Sequence, residues 1–424
     1  MDLASLQETL ESARSAQAAQ DYDRALAGYD RLLARSEGLG VDDTEARELR
    51  LAALRERSRL VELQGDPEEA LRGLEQYYLE AGSSEHAVEA LNLIGDLHDG
   101  LGQERRALAA YEEALALAEA FNYTPGRAKA LLGAGLTWHH LGRTEEGISQ
   151  LQKALALLEQ IGDEAGQMRA TNRLGIAYVQ AGQVDKAIDW FEKSLVLARN
   201  VGVRETAIDL NNIGECYQLL FNSEQALAHH QEAYALAQST GLRSALPDLA
   251  RNLGYDLFHL GQVEKGVGYL EVALRLATEM SQHDVRMQAL YTLAQAEVRR
   301  GKAAEARQYA QQLQQLAQER DYRVYQAEAL YALGLVEQLE KNDDMAEQRW
   351  QEALFLAHEA GRQYLLWQVH ASLAEIAANA GLARVHYQIA AEIINQIAYP
   401  IEDEAVRAAF LSAAPVKRIL EHSG

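Results

Sequence analysis

The sequence is poor in almost every feature that marks a secreted, membrane-bound or catalytic chain. It holds one cysteine, Cys216, so no disulfide can close within it, and a reducing, cytoplasmic setting is the expectation. Only five prolines interrupt 424 residues, and 48% of the residues are hydrophobic, which excludes a disordered chain. No stretch approaches the roughly 18 apolar residues of a membrane span. The opening MDLASLQETLESARSAQ lacks the basic start and apolar core of a signal peptide. No run of alternating β-branched and polar residues argues for a sheet. Positive charge is scarce as well. Forty basic side chains face 63 acidic ones, a formal charge of −23, so nucleic acid and anionic membranes are not expected as direct partners. That charge keeps a long surface soluble, and it would also steer basic or mixed-charge peptides.

Helix formers dominate what remains, and they recur with a period. The block Leu174–Ala198, LGIAYVQAGQVDKAIDWFEKSLVLA, reads as two amphipathic helices joined at Gly182, with Gly175 and Ala187 12 residues apart. Small residues recur in register at Gly95, Gly135, Gly175, Gly214, Gly254, Ala294, Gly334 and Ala374. Partners on the second helix are Ala107, Gly147, Ala187, Ala226, Gly266, Ala306 and Ala346. The steps are 39 or 40 residues, and His386 departs from the rule in the last unit. Glycine inside a helix costs about 1 kcal/mol relative to alanine, so its repetition implies a compensating gain, the close approach of two helices. Large residues follow at His98, Trp138, Tyr178 and Tyr217, where they fill the space between units, and others recur at Tyr111, Leu151, Phe191, Leu270 and Trp350. Glycines such as Gly162, Gly202, Gly241 and Gly361 mark helix ends.

The pattern L-G-x-x-Y/W, then A-x-x-x-F/Y-x-x-A, resembles the tetratricopeptide repeat (TPR) over about residues 5–398. The longer period is similar to the repeats of kinesin light chains, GoLoco-binding scaffolds and bacterial sensor-regulators. The resemblance implies an all-α, right-handed superhelical solenoid of about ten antiparallel helix pairs. Degenerate pairs are expected over 1–82, with an irregular connection at Ser36–Asp43. A regular array follows over 83–398, then a capping helix near Glu402–Ser412 and a tail over 399–424. The ending also resembles TPR tails of larger bacterial regulators, but no glycine-rich phosphate loop or other effector module is read in the chain.

The same resemblance places ligands on the concave face, lined by the first helix of each pair. The residues it selects there are Arg169, Asn172, Asn211, Arg251, Tyr255, Tyr291, Tyr331 and His139. Asparagine amides can donate to and accept from a peptide backbone at once, and tyrosines can anchor apolar groups. The alternatives are solvated groove residues and, for the aromatics and Phe258, packing between units; Asn212 and Asn252 can instead bond between neighbouring helices. The pairs His139-His140 and His229-His230 diverge by about 100° on a helix, so no metal site is assigned. Cys216 reads as a buried packing thiol, and no catalytic residue and no cofactor is assigned. The expected function is a non-catalytic scaffold binding a protein or peptide segment. The alternative is a signal-responsive regulator acting on an effector of another chain. Self-association through the degenerate first pairs is left open.

Overall fold

The computed structural model describes residues 3–37 and 44–423. Among the described residues every regular element is helical. The expected irregular connection lies, from residue 38 to 43, outside them. The chain divides into two compact units, Met1–Ala177 and Tyr178–Gly424, and the boundary falls inside a helix.

The first unit contains α1 (Leu3–Ala18), α2 (Tyr22–Ser36), α3 (Thr44–Leu63), α4 (Pro67–Ala81), α5 (Glu85–Gly100), α6 (Glu104–Ala120), α7 (Thr124–His140), α8 (Thr144–Ile161) and most of α9 (Glu164–Gln180). The second begins with α10 (Val184–Val201), α11 (Val203–Leu219), α12 (Ser223–Thr240), α13 (Leu246–His259) and α14 (Val263–Glu279). It continues with α15 (His283–Arg299), α16 (Ala303–Glu319), α17 (Arg323–Leu339), α18 (Asp343–Glu359), α19 (Gln363–Ile376) and α20 (Ala380–Ala398). It ends with α21 (Glu404–Ser412) and α22 (Ala414–His422). Helices α1 to α20 form ten consecutive pairs, the number the repeat implied.

The seam glycines act as the spacing suggested, with a refinement. A Cβ on Gly135 would lie 2.7 Å from Leu151 Cγ, and one on Gly254 would lie 2.5 Å from Leu270 Cγ. A Cβ on Gly95 would strike the Tyr111 ring, and one on Gly334 would strike the Trp350 indole. The missing side chain therefore makes room chiefly for the large residue four positions after the second small one. Where both positions are glycine, the backbones also meet: a Cβ on Gly147 would lie 2.6 Å from the Gly135 carbonyl oxygen.

The turns joining the two helices of the α9–α10, α11–α12 and α13–α14 pairs each carry one residue with positive φ. Glycine supplies it at Gly182 and Gly261, but the turn between α11 and α12 uses Phe221, at φ 55°. A left-handed conformation costs a non-glycine residue roughly 1–2 kcal/mol. Tertiary contacts hold it: the Phe221 ring lies 5.9 Å from Trp367, 6.3 Å from Tyr364 and 6.1 Å from Phe410. Tyr364 also donates its hydroxyl to the Leu219 carbonyl at 3.1 Å. A second tie joins the same ends of this unit. The Asp185 carboxylate accepts from the backbone N–H groups of Glu402 (2.9 Å) and Asp403 (2.7 Å), and Lys186 pairs with Glu402 at 2.6 Å. The second unit thus closes on itself across more than 200 residues of chain.

The C-terminal cap differs from the single helix expected. Ala413 is extended (ψ 136°) and Pro415 suits the first turn of a new helix, so two short helices form where one was read. The second of them packs on α20, with Val416 and Ile419 buried and His422 beside Tyr387. The first sends Phe410 into the Phe221 cluster.

Two glycines separate packing from propensity. Gly334→Ala should destabilise the protein by roughly 1–3 kcal/mol through overpacking against Trp350. Gly268, exposed on α14 with nothing within 4 Å of an added Cβ, should gain about 0.5–1 kcal/mol as alanine. Thermal unfolding of the two variants should therefore move in opposite directions.

Candidate partner-binding grooves

In the first unit, α3, α5, α7 and α9 line a cavity of about 950 Å³. Arg169 stands exposed on its rim, near Asp163 at 4.0 Å. Lys129 pairs with Asp96 at 3.2 Å, and Asp96 also accepts from the Tyr111 hydroxyl at 2.8 Å. Asn172 is half-buried on α9 within this unit. His139 is not on the groove face. It is 3% exposed and packs at the α7–α8 seam, where the missing Gly147 side chain gives it room.

In the second unit the structure brings Asn211 and Arg251 together, by way of carboxylates. Arg251 donates to Asp248 at 2.7 Å and to Glu215 at 3.2 Å. The Asn211 amide oxygen accepts from Asn252 at 2.8 Å, and its nitrogen donates to Glu215 at 3.3 Å. Asn252 is fully buried and bonds between α11 and α13, one of the two roles the sequence allowed it. Gln218 extends the network inward, donating to Asn252 at 3.1 Å and to Asp256 at 2.7 Å.

Behind it lies a pair that the repeat reading did not single out. His230 and Asp256, both wholly buried, meet at 2.6 Å. Burial pushes the Asp256 carboxyl up, and His230 and Gln218 oppose that shift. The signal was present in register: His230 fills the slot that holds Tyr111, Leu151, Phe191, Leu270 and Trp350 elsewhere. The local sequence alone offers His230 only as one of a divergent histidine pair. Its neighbour His229 stacks on Tyr217 instead, with ring centroids 5.6 Å apart.

The tyrosines divide. Tyr255 is half-buried beside His259 (ring centroids 4.3 Å apart), and burial pushes its phenol up to about 12. Tyr291 is partly buried against three core clusters, and burial raises its phenol well above the usual value. Tyr331 is 7% exposed, tilts against Trp350 and reaches Ser372 at 3.3 Å, so it packs between units as the alternative reading had it. Phe258 is likewise buried. Cys216 is 1% exposed, and burial raises its thiol.

Three models described as tetratricopeptide repeat match the chain, at residues 10–86, at 88–121, and at 126–200 with 166–239, together more than half of it. The chain belongs to the tetratricopeptide repeat family. Among solved structures, the TPR chain is similar to the apo quorum sensor NprR of B. thuringiensis. The identity is 14% and the TM-score 0.60, over 83% of this chain and 99% of that one. It is also similar to a signal transduction ATPase with numerous domains carrying a TPR sensor, from Pyrococcus horikoshii. There the identity is 17% and the TM-score 0.60, over 80% of this chain but only 54% of the other. No curated protein matches in sequence. No helix among the described residues is long and apolar enough to cross a membrane.

Inside the second TPR unit, Glu328 is 7% exposed and burial pushes it up to about 7, against the pull of Arg362 at 3.2 Å. Its folded value lies above its unfolded one, so its contribution is full below about pH 4.5 and lost as pH rises through 7. Glu328→Gln, permanently neutral, should stabilise the protein at pH 8 by on the order of 2 kcal/mol. In urea unfolding that advantage should shrink at pH 5.

Proposed function

We propose that this TPR chain is a non-catalytic interaction protein that holds a peptide or partner segment against the first helices of its second unit. The observation that carries the reading is the shared network of Asn211, Arg251, Glu215 and Asp248 on α11 and α13, with half-buried Tyr255 one turn further on. Amide and guanidinium groups already oriented by neighbours lose little freedom on binding, which favours an extended backbone as ligand. Arg169, which lines the cavity of the first unit, and Asn172 on the same helix provide a separate contact face. Tyr291 serves as the apolar wall behind the second.

A signal-responsive role is the second reading, and it has its own observation. The ties from Phe221, Asp185 and Lys186 to the C-terminal helices give the second unit a closure that a bound segment can tighten or release. The similarity to a quorum sensor and to a TPR sensor region agrees with it.

The test begins with a partner captured by the full chain and then titrated in purified form. Asn211→Ala with Tyr255→Ala should weaken binding at least tenfold while the helical circular dichroism stays unchanged. Equal affinity for the double variant and the parent would remove the site from the second unit.

A further inference from the structure

One cavity of the second unit has a chemistry of its own. It measures about 750 Å³ and opens at the N-terminal ends of α11, α13 and α15. Its origin is local. Pro247 sits in the first turn of α13, where its missing N–H costs nothing, and residues Arg243–Ala245 just before the helix form a tighter 3₁₀ turn. Leu242, Ser244 and Ala245 then border the cavity.

Three carboxylates face it, from Glu215, Asp248 and Asp284, against two cations, Arg204 and Arg251. The terminal nitrogen of Arg251 is engaged by Glu215 and Asp248. Two amide oxygens, Gln282 Oε1 and Gln288 Oε1, are buried there without a hydrogen-bond donor. Their orientation is fixed by their nitrogens. Gln282 donates to the Ser244 carbonyl at 3.0 Å, and Gln288 donates to Asp284 at 3.2 Å and to the Tyr325 oxygen at 3.1 Å. A buried polar atom left unpaired is destabilising, so the cavity favours a group rich in N–H donors and positive charge.

Two donors are unpaired beside these acceptors, Arg251 Nε and His283 Nδ1. His283 Nε2 lies 2.6 Å from an Arg320 guanidinium nitrogen, which can only donate, so the ring proton sits on Nδ1. A small polyamine leaves those two donors without acceptors. An extended peptide supplies backbone carbonyls for them and a basic side chain for the carboxylates and amide oxygens.

We propose that this cavity binds an arginine or lysine side chain of an extended partner peptide. The assignment rests on the proposed partner-binding role and names the chemistry of the partner. The net charge of −23 acts in the same sense, attracting a basic segment from a distance.

The test is calorimetric titration of the full chain with acetylated, amidated triarginine and trilysine, with triglutamate and spermidine as comparisons. Either basic peptide should bind at least tenfold more tightly than spermidine, and triglutamate should not bind. Asp248→Asn with Asp284→Asn should weaken the basic peptide at least tenfold, and exposed Asp284→Asn alone provides the variant least able to disturb folding. Glu8→Gln with Glu11→Gln, far along the chain on α1, should leave affinity unchanged. Failure of both basic peptides to bind, spermidine binding as tightly, or affinity indifferent to the cavity variants would overturn the proposal. Such a failure, with the Asn211/Tyr255 variant still losing its captured partner, would overturn this inference and leave the partner-binding role standing.

Discussion

Four hairpins of this protein depend on the same steric allowance, a missing side chain on the first helix that admits a large one from the second. Gly95 admits Tyr111, Gly135 admits Leu151, Gly254 admits Leu270 and Gly334 admits Trp350. The close approach buries these large side chains almost completely, Trp350 at 0% exposed among them. The burial of a large apolar side chain, about 1.5–3 kcal/mol, outweighs the roughly 1 kcal/mol helix penalty of the glycine. The seam fixes the hairpin, and the turns, the groove face and single slots of the pattern are left free to vary.

The second unit uses that freedom in two ways. A phenylalanine takes a turn position that neighbouring pairs give to glycine, and its ring becomes the meeting point of α19, α21 and the α11–α12 turn. A histidine takes a large-residue slot, and with Asp256 it begins a polar chain running through Gln218 and Asn252 to Asn211, Glu215 and Arg251. Buried polar networks of this kind stabilise only when satisfied, and they fix the side chains at their ends. The groove surface of α11 and α13 is therefore held rigid from behind, which lowers the ordering cost of any ligand that docks there.

How much of this was legible in the sequence follows from what periodicity can carry. Gly175 and Ala187 disclosed the hairpin, and the recurrence of their counterparts disclosed the all-α array of ten pairs. Periodicity is blind to contacts made once. Nothing in a 40-residue repeat pairs Asp185 with the backbone of residues 402 and 403, or Phe221 with Phe410, because those contacts depend on how the second unit curls. The site was legible by position more than by chemistry. Asn211 and Arg251 lie together on α11 and α13, while their polar atoms are largely engaged by Glu215, Asp248 and Asn252. His139 and Tyr331, chosen by the same register, are buried instead, His139 at the α7–α8 seam beside Gly147 and Tyr331 against Trp350 and Ser372. The His230–Asp256 pair was visible as a polar intrusion in an apolar slot, but only a comparison of slots across units exposes it.

The central claim is that a partner lies against the first helices of the second unit. Hydrogen exchange of the full chain with and without its captured partner tests this most directly. The account predicts new protection concentrated in α11, α13 and α15, with α12, α14 and α16 unchanged. Protection confined to those second helices, or to the first unit alone, would contradict it.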